Sequence, residues 1–126
     1  MRMDVLIVDD SRAMRTLLSG QLEELGFRCD EADGGSCALE KLDGCEHAPR
    51  AILVDWNMPR MNGLELIGEI RARAALDAVP VVVVTSETGI EEMRAAVRAG
   101  ANEYLIKPFS REELSERLML AGVPPE

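Results

Sequence analysis

Short apolar runs alternate along the chain with segments whose apolar residues recur at helical spacing. The apolar runs cover residues 5–8, 27–31, 52–54, 80–84 and 104–106. Because strands that alternate with helices form βα units, the pattern predicts an α/β domain with a mainly parallel five-stranded sheet. Continuously apolar runs, such as residues 81–84, are typical of central strands covered on both faces, whereas the more polar run at 27–31 suits an edge strand.

The first helix is predicted from a stripe of apolar residues that lies between an N-cap and a glycine. Ser11 can accept a hydrogen bond from the first helical turn, and Gly26 permits the left-handed conformation in which helices commonly end. Spacings of three and four residues place the apolar side chains on one face of the helix. That stripe consists of Met14, Leu17, Leu18, Leu22 and Leu25.

Four further helices are predicted in the remaining intervals. They cover residues 36–42, residues 64–74, residues 90–99 up to Gly100, and a segment that begins with the capping box at Ser110 and stops at Gly122. The third helix has an inner stripe of Leu64, Ile67 and Ile70, and the fifth has one of Leu114, Leu118 and Ala121.

Composition and charge narrow the classes of function. The chain has 126 residues, which suits one domain over residues 1–126 without an output domain, and its formal net charge is −9. Such acidity argues against direct nucleic-acid binding, which usually shows a basic footprint. No apolar run approaches the roughly 18 residues needed for membrane insertion, and an acidic pair follows the first run too early for a secretory signal. We therefore expect a cytoplasmic protein.

The cysteines and the single histidine do not predict a metal site. Cys29, Cys37 and Cys45 lack the paired spacing of zinc ligands, and His47 falls beside Pro49 in a predicted loop. We expect free thiols and a solvent-facing imidazole.

Four of the apolar runs end at residues that can handle a phosphoryl group. Asp9 and Asp10 follow the first run, Asp55 the third, Thr85 the fourth and Lys107 the fifth. Because the carboxyl ends of parallel strands share one edge of a sheet, these side chains can meet in one crevice. Each residue alone has an ordinary explanation, such as a turn or a helix cap. Their combination, each at a strand end, favours a phosphorylation site.

The three aspartates predict a magnesium site. Carboxylates brought together repel one another unless a cation offsets their charge, and Mg²⁺ binds one or two carboxylates alongside a phosphoryl oxygen. Asp55 could then attack phosphorus and form an acyl phosphate. Lys107 offers an ammonium group and Thr85 a hydroxyl donor for the phosphoryl oxygens.

Four segments in this order resemble the response-regulator receiver family, and particularly its stand-alone, chemotaxis-type members, the CheY-like proteins. The segments are VLIVDDS, LVDWNMP, VVVTSE and YLIKPF. The resemblance covers essentially the whole chain. It implies a flavodoxin-like (βα)5 fold, a doubly wound parallel sheet with strand order 2-1-3-4-5.

The resemblance also implies roles for individual residues. Asp55 would accept a phosphoryl group from a histidine kinase, and Lys107 and Thr85 would contact that group. Magnesium would be bound by Asp9, Asp10, Asp55 and the main-chain carbonyl of Asn57. The protein would be a two-component response regulator, a phospho-acceptor switch that catalyses only its own phosphorylation and dephosphorylation.

The same resemblance implies how the protein is activated and how long its acyl phosphate lasts. Thr85 and Tyr104 would move together on phosphorylation, while Asn57 and Glu87 would set a short lifetime for the acyl phosphate. Ser86 departs from the alanine that the family usually has, and its added hydroxyl would alter access for the phosphodonor or for water. A downstream protein target, in chemotaxis, would bind a face formed by Met93, Arg94, Arg98, Tyr104 and Arg111. An alternative reading of Arg94 and Arg98 is that they only pair with acids such as Glu91.

Two other interpretations fit parts of the pattern. One is a receiver module within a larger regulator or hybrid kinase. The other is a magnesium-dependent phosphohydrolase that uses an aspartyl phosphate, as haloacid-dehalogenase-like phosphatases do. Those enzymes usually have a second aspartate two residues after the nucleophile, where this chain has Asn57.

Overall fold

The computed structural model describes residues 3–125, so the terminal positions of the predicted domain, 1, 2 and 126, lie outside the described residues. Five strands and five helices alternate along it. The strands are β1 Val5–Val8, β2 Cys29–Ala32, β3 Ala51–Asp55, β4 Val81–Thr85 and β5 Glu103–Ile106. The helices are α1 Arg12–Glu24, α2 Gly35–Gly44, α3 Gly63–Arg71, α4 Ile90–Ala99 and α5 Arg111–Leu120.

The sheet is parallel throughout and has the strand order β2-β1-β3-β4-β5. This order confirms the predicted flavodoxin-like fold and the position of the polar second strand at an edge. All residues of β1, β3 and β4 are buried, as expected for strands covered on both faces. Among the described residues no helix is long and apolar enough to cross a membrane.

Two apolar layers hold the helices against the sheet, because successive side chains of a strand point to opposite faces. On one face Val5, Ile7, Leu53, Val82 and Val84 pack with residues of α1 and α5. On the other face the alternate strand residues pack with α2, α3 and α4. The predicted inner residues Leu114 and Leu118 of α5 are fully buried.

The second strand begins two residues later than predicted. Phe27 donates its backbone N–H to the carbonyl of Leu22 at 3.0 Å, and Gly26 has a φ of 93°. These two features close the carboxyl end of α1 and leave Phe27 only 2% exposed in the core. Residues 27 and 28 therefore belong to the segment that closes the end of the helix and not to the strand predicted over residues 27–31.

The third helix is shorter than predicted and turns a different face inward. It ends at Arg71, and a 3-10 turn at Ala74–Leu76 carries the chain toward β4. The turn lets Leu76 enter the core at 4% exposure, which a continuing α-helix over the alanines would prevent. Leu64 is 40% exposed, and Leu66 takes its expected place beside Ile67.

The other helices agree closely with prediction. Ser11 caps α1 by accepting a hydrogen bond from the Met14 amide at 3.2 Å, and the capping box between Ser110 and Glu113 is formed. The fourth helix has the predicted bounds. In α1, Leu17 is 47% exposed rather than part of the inner stripe.

Gly63 allows the start of α3 to pack directly on the end of β3. A Cβ at this position would lie 2.8 Å from the carbonyl oxygen of Asp55 and 2.9 Å from the Cα of Trp56. The Gly63 amide also donates to the Trp56 carbonyl at 3.0 Å. The close approach is between backbones, so no side-chain rotation could relieve an added methyl group.

We predict that Gly63→Ala lowers the free energy of unfolding by about 1 to 3 kcal/mol, the usual cost of overpacking a rigid site. Gly68→Ala, in the same helix, is the matched control, because a Cβ there meets nothing within 4 Å. It should stabilise by about 0.5 to 1 kcal/mol, since it only removes a helical glycine. Urea unfolding measures both, and equal effects would contradict the packing argument.

Candidate phosphoryl-acceptor and metal site

The register of the sheet brings the four predicted strand ends to one edge. Asp9 immediately follows β1, and Asp55 and Thr85 are the last residues of β3 and β4. Lys107 immediately follows β5, and its amide donates to the carbonyl of Thr85 at 2.8 Å. The strands concerned are successive neighbours in the sheet, so residues far apart in the chain meet.

Three carboxylates converge at this edge. Asp9, Asp10 and Asp55 each have an oxygen within 4.8 Å of the others. Asp9 and Asp55 are buried at 1% and 7% exposure, whereas Asp10 is exposed at the mouth. The arrangement therefore has two carboxylates in the wall of the pocket and one that faces solvent.

A lysine ammonium lies between the two buried carboxylates. Lys107 Nζ is 3.3 Å from Asp55 Oδ1 and 3.5 Å from Asp9 Oδ2. Asp9 Oδ1 accepts a hydrogen bond from the amide of Ser11 at 2.8 Å. Within the described part of the chain, no hydrogen bond reaches the buried Asp9 Oδ2. This buried acceptor thus has the Lys107 ammonium at 3.5 Å as an ion-pair partner but no hydrogen bond.

The electrostatics of the pocket make Asp55 harder to ionise than a free carboxyl group. Burial, followed by repulsion from Asp9, raises the pKa of Asp55 from 3.8 to about 6, although Lys107 acts in the opposite direction. Asp10 adds a smaller repulsion. The single ammonium does not balance the negative charge of three carboxylates.

The residues present fit a hard divalent cation. Carboxylate oxygens are the ligands that Mg²⁺ prefers, and the buried Asp9 Oδ2 is an acceptor that the protein itself does not hydrogen-bond. A dication would also offset the repulsion that raises the pKa of Asp55. Asn57, two residues beyond Asp55, lies on the exposed turn that follows β3.

A second group of predicted residues is linked through the loop after β4. The side chain of Thr85 is buried at 1% exposure, and its Oγ1 accepts a hydrogen bond from the Glu87 amide at 3.1 Å. The Tyr104 hydroxyl donates to the carbonyl of Glu87 at 2.9 Å. Both hydrogen bonds converge on Glu87, while Ser86 between them is exposed.

The predicted partner residues do not all lie together. Met93 and Tyr104 line one groove between α4, β5 and α5, and Arg94 and Arg98 line an adjoining patch with Met93. Arg111 is directed toward the other side of α5, where it pairs with Glu24 of α1 at 3.2 Å. In its place, α5 contributes Glu113 and Arg117 to the groove.

One of the two α4 arginines makes the kind of ion pair that the alternative reading expected. Arg94 Nη1 lies 3.6 Å from Glu91 Oε1, but the two side chains are 60% and 77% exposed. An ion pair this exposed contributes little to stability. Arg94 is therefore not committed to a structural role.

Sequence reasoning missed two residues that shape the site. Gly63 permits the backbone contact with Asp55, and Arg15 donates from Nη1 to the backbone carbonyl of Asp9 at 2.8 Å. The signal for Arg15 was an arginine one helical turn beyond the N-cap that follows the acidic pair. Neither residue type is a metal ligand, so a search for ligands passes over both.

Comparisons with known proteins agree with the geometry. Residues 5–119 match the response regulator receiver domain family. Chemotaxis protein CheY1 of Helicobacter pylori is 39% identical over 117 residues, which make up 92% of this chain and 94% of that protein. The CheY homologue of Campylobacter jejuni is 40% identical, with coverage of 92% and 89%.

Solved structures show the same architecture. Chemotaxis protein CheY4 of Vibrio cholerae has a TM-score of 0.87 at 32% identity, over 94% of this chain and 98% of that one. The receiver domain of a sensor histidine kinase from Pseudomonas aeruginosa has a TM-score of 0.84 at 28% identity, over 97% and 99%. That structure contains a magnesium ion coordinated in the active site cleft.

We predict that Asp55→Asn stabilises the metal-free protein at neutral pH. The unfolded carboxyl ionises near 3.8 and the folded one near 6, so the stability contributed by protonated Asp55 is lost as the pH rises between these values. The amide avoids that loss. We expect a gain of about 1 to 2 kcal/mol, because each pKa unit corresponds to about 1.4 kcal/mol and solvent screens part of the repulsion.

Urea unfolding in the presence of a chelator measures this gain, which should vanish near pH 4. Asp10→Asn is the matched control, since Asp10 contributes the smallest repulsion to Asp55 and should give a smaller gain. An Asp55→Asn protein no more stable than wild type at neutral pH would show that the carboxylates do not repel as described.

Proposed function

The chain belongs to the response regulator receiver family, and we propose that it accepts a phosphoryl group on Asp55 from a histidine kinase. Its family and its chemotaxis relatives identify a two-component response regulator. The observation that carries the proposal is the position of Lys107 between Asp55 and Asp9, beside a buried carboxylate oxygen without a hydrogen bond.

The proposed transfer is a displacement at phosphorus. A carboxylate oxygen of Asp55 forms the new bond while the phosphorus–nitrogen bond to the donor histidine breaks, and that electron pair stays on the imidazole nitrogen. Asp9, Asp10, Asp55 and the main-chain carbonyl of Asn57 would hold Mg²⁺. When bound, the metal supplies positive charge between carboxylate and phosphoryl oxygens.

Two side chains would contact the phosphoryl group that is transferred to Asp55. Lys107 already lies 3.3 Å from the Asp55 carboxylate, so its ammonium can shift to a phosphoryl oxygen without leaving the pocket. Thr85, at the end of the neighbouring strand, offers a hydroxyl hydrogen that is not used in accepting from Glu87. The Lys107 contact would form as the phosphoryl group approaches Asp55 and so speed transfer, and both contacts would persist in the phosphorylated state.

The route from phosphorylation to a partner would pass through the loop after β4. If Thr85 turns toward the phosphoryl group, its hydrogen bond from the Glu87 amide changes, and Glu87 is also the residue that holds the Tyr104 hydroxyl. Tyr104 forms part of the groove between α4, β5 and α5. Phosphorylation would thereby alter the surface that a protein target binds.

The composition of this face suits a protein partner. Met93 and Tyr104 line the groove, and Val97 beside them is 67% exposed. Methionine, aromatic and arginine side chains are enriched in protein interfaces. Arg94 and Arg98, both exposed on α4, would add charge at its rim.

The phosphohydrolase interpretation is less well supported. Asn57 stands where aspartyl-phosphate phosphohydrolases usually have a second acid, and nothing else at the site favours bound substrate over a phosphorylated protein. We propose a phospho-acceptor switch that catalyses only its own phosphorylation and dephosphorylation, formed by residues 1–126 as a single receiver domain. Its three free thiols suit the reducing cytoplasm.

The first test is phosphorylation by acetyl phosphate with Mg²⁺, followed by intact mass. Wild type should gain the mass of one phosphoryl group, and Asp55→Asn should gain none because it lacks the nucleophile. Lys107→Met should be labelled much more slowly while it keeps its fold. Equal labelling of Asp55→Asn and wild type would show that another residue is the acceptor.

We also expect the wild-type label to decay quickly in magnesium buffer, because the resemblance implies that Asn57 and Glu87 set a short lifetime. A label that persists for hours would contradict that expectation.

The second test concerns the proposed link between Tyr104 and the loop. Tyr104→Phe removes the 2.9 Å hydrogen bond to the Glu87 carbonyl and little else. A hydrogen bond contributes about 1 kcal/mol, so we expect roughly fivefold faster amide hydrogen exchange at residues 86–90. Amides of β1 serve as the internal control and should not change. Unaltered exchange in the loop would contradict the link.

A further inference from the structure

The acidic pair after β1 requires a break in the strand geometry. Successive residues of a strand point to opposite faces, yet Asp9 and Asp10 both contribute an oxygen to one cluster. The Asp9 amide still follows the strand pattern, because it donates to the Ala32 carbonyl of the neighbouring segment at 3.1 Å. The chain must therefore turn between Asp9 and Asp10, and the Asp9 carbonyl leaves the strand at that point.

Arg15 holds the carbonyl at this turn. Its Nη1 donates to the Asp9 backbone oxygen at 2.8 Å, and its Nε lies 3.1 Å from Glu31 Oε1 on β2. The Arg15 side chain is only 15% exposed. One guanidinium thus ties helix α1 and the edge strand to the peptide that joins the two aspartates.

We propose that Arg15 is a positioning residue for magnesium binding. By holding the Asp9 carbonyl, it fixes the peptide plane that directs Asp9 and Asp10 into the same pocket. Glu31 in turn holds the guanidinium in the orientation that reaches this carbonyl. The inference rests on the proposed Mg²⁺ binding by Asp9, Asp10 and Asp55.

The direction of the change in Mg²⁺ affinity distinguishes a positioning role for Arg15 from a purely electrostatic one. Arg15 is a cation near an acidic cluster, so removal of its charge alone should strengthen the binding of another cation. Loss of a positioning contact should weaken it, because the ligands must then be ordered when the metal binds. The two explanations predict opposite changes for one substitution.

The test is a Mg²⁺ titration of the full chain, followed by amide chemical shifts around the pocket. We expect Arg15→Met to raise the dissociation constant about tenfold, the usual size of a loss next to metal ligands. Arg12→Met is the matched control, because Arg12 is exposed on the same helix and its side chain makes no ion pair within residues 3–125. It should bind Mg²⁺ as tightly as wild type or more tightly.

Two further variants test the mechanism. Arg15→Lys keeps the charge but cannot reach Asp9 and Glu31 together in the same way, so it should give a smaller loss and can replace Arg15→Met if that variant does not fold. Glu31→Gln should weaken binding in wild type but not in the Arg15→Met background. Labelling by acetyl phosphate should approach the wild-type rate for Arg15→Met at saturating Mg²⁺.

The outcomes distinguish this inference from the function on which it rests. If Arg15→Met and Arg15→Lys bind Mg²⁺ as tightly as wild type or more tightly, Arg15 does not position the site. If wild type itself shows no Mg²⁺-dependent shifts, the proposed metal site and the role of Arg15 are both wrong. Asp10→Asn removes a proposed ligand, so its dissociation constant shows how much Mg²⁺ binding weakens when the site is disrupted.

Discussion

Concentrated negative charge at one edge of the sheet constrains the rest of this structure. Asp9 and Asp55 are buried against each other with Lys107 as the ammonium between them, and Asp10 lies at the mouth. A fold optimised only for stability would not bury two carboxylates for one lysine, since each buried charge is costly unless it is paired. The excess charge is understandable if the pocket serves a cation and a phosphoryl group.

The surrounding scaffold is arranged so that this unfavourable site cannot relax. The fully buried strands β3 and β4 fix the positions of Asp55 and Thr85, their last residues, and the backbone contact at Gly63 packs the start of α3 against the end of β3. Arg15 holds the turn through the Asp9 carbonyl. Repulsion among the carboxylates is thus resisted by packing and hydrogen bonds rather than relieved by movement, as expected where local stability yields to function.

The alternation of strands and helices and the polar residues at the strand ends could be predicted from regular patterns in the sequence, whereas the strand order and the roles of the site residues were implied by the family resemblance. Strand ends, the N-cap at Ser11 and the alternation of elements follow from local rules. The start of β2 does not follow from local rules, because the Phe27 amide closes the end of α1. The end of α3 does not follow from them either, because Leu76 packs in the core. Arg15 was missed for the same reason, since its role depends on a carbonyl that only the folded chain brings within reach.

A phosphoryl group on Asp55 would have few physical routes by which to change the surface of this molecule. The strands are buried on both faces and close-packed, and such interiors do not deform gradually. The loop after β4 differs from the buried strands, because Glu87 is held by one hydrogen bond to Thr85 and one from Tyr104. Each bond is worth little by itself, so a new contact for the Thr85 hydroxyl could shift the balance between them. The groove lined by Tyr104 lies at the far end of that pair, which is why the loop, rather than the core, is the element through which phosphorylation would reach a partner.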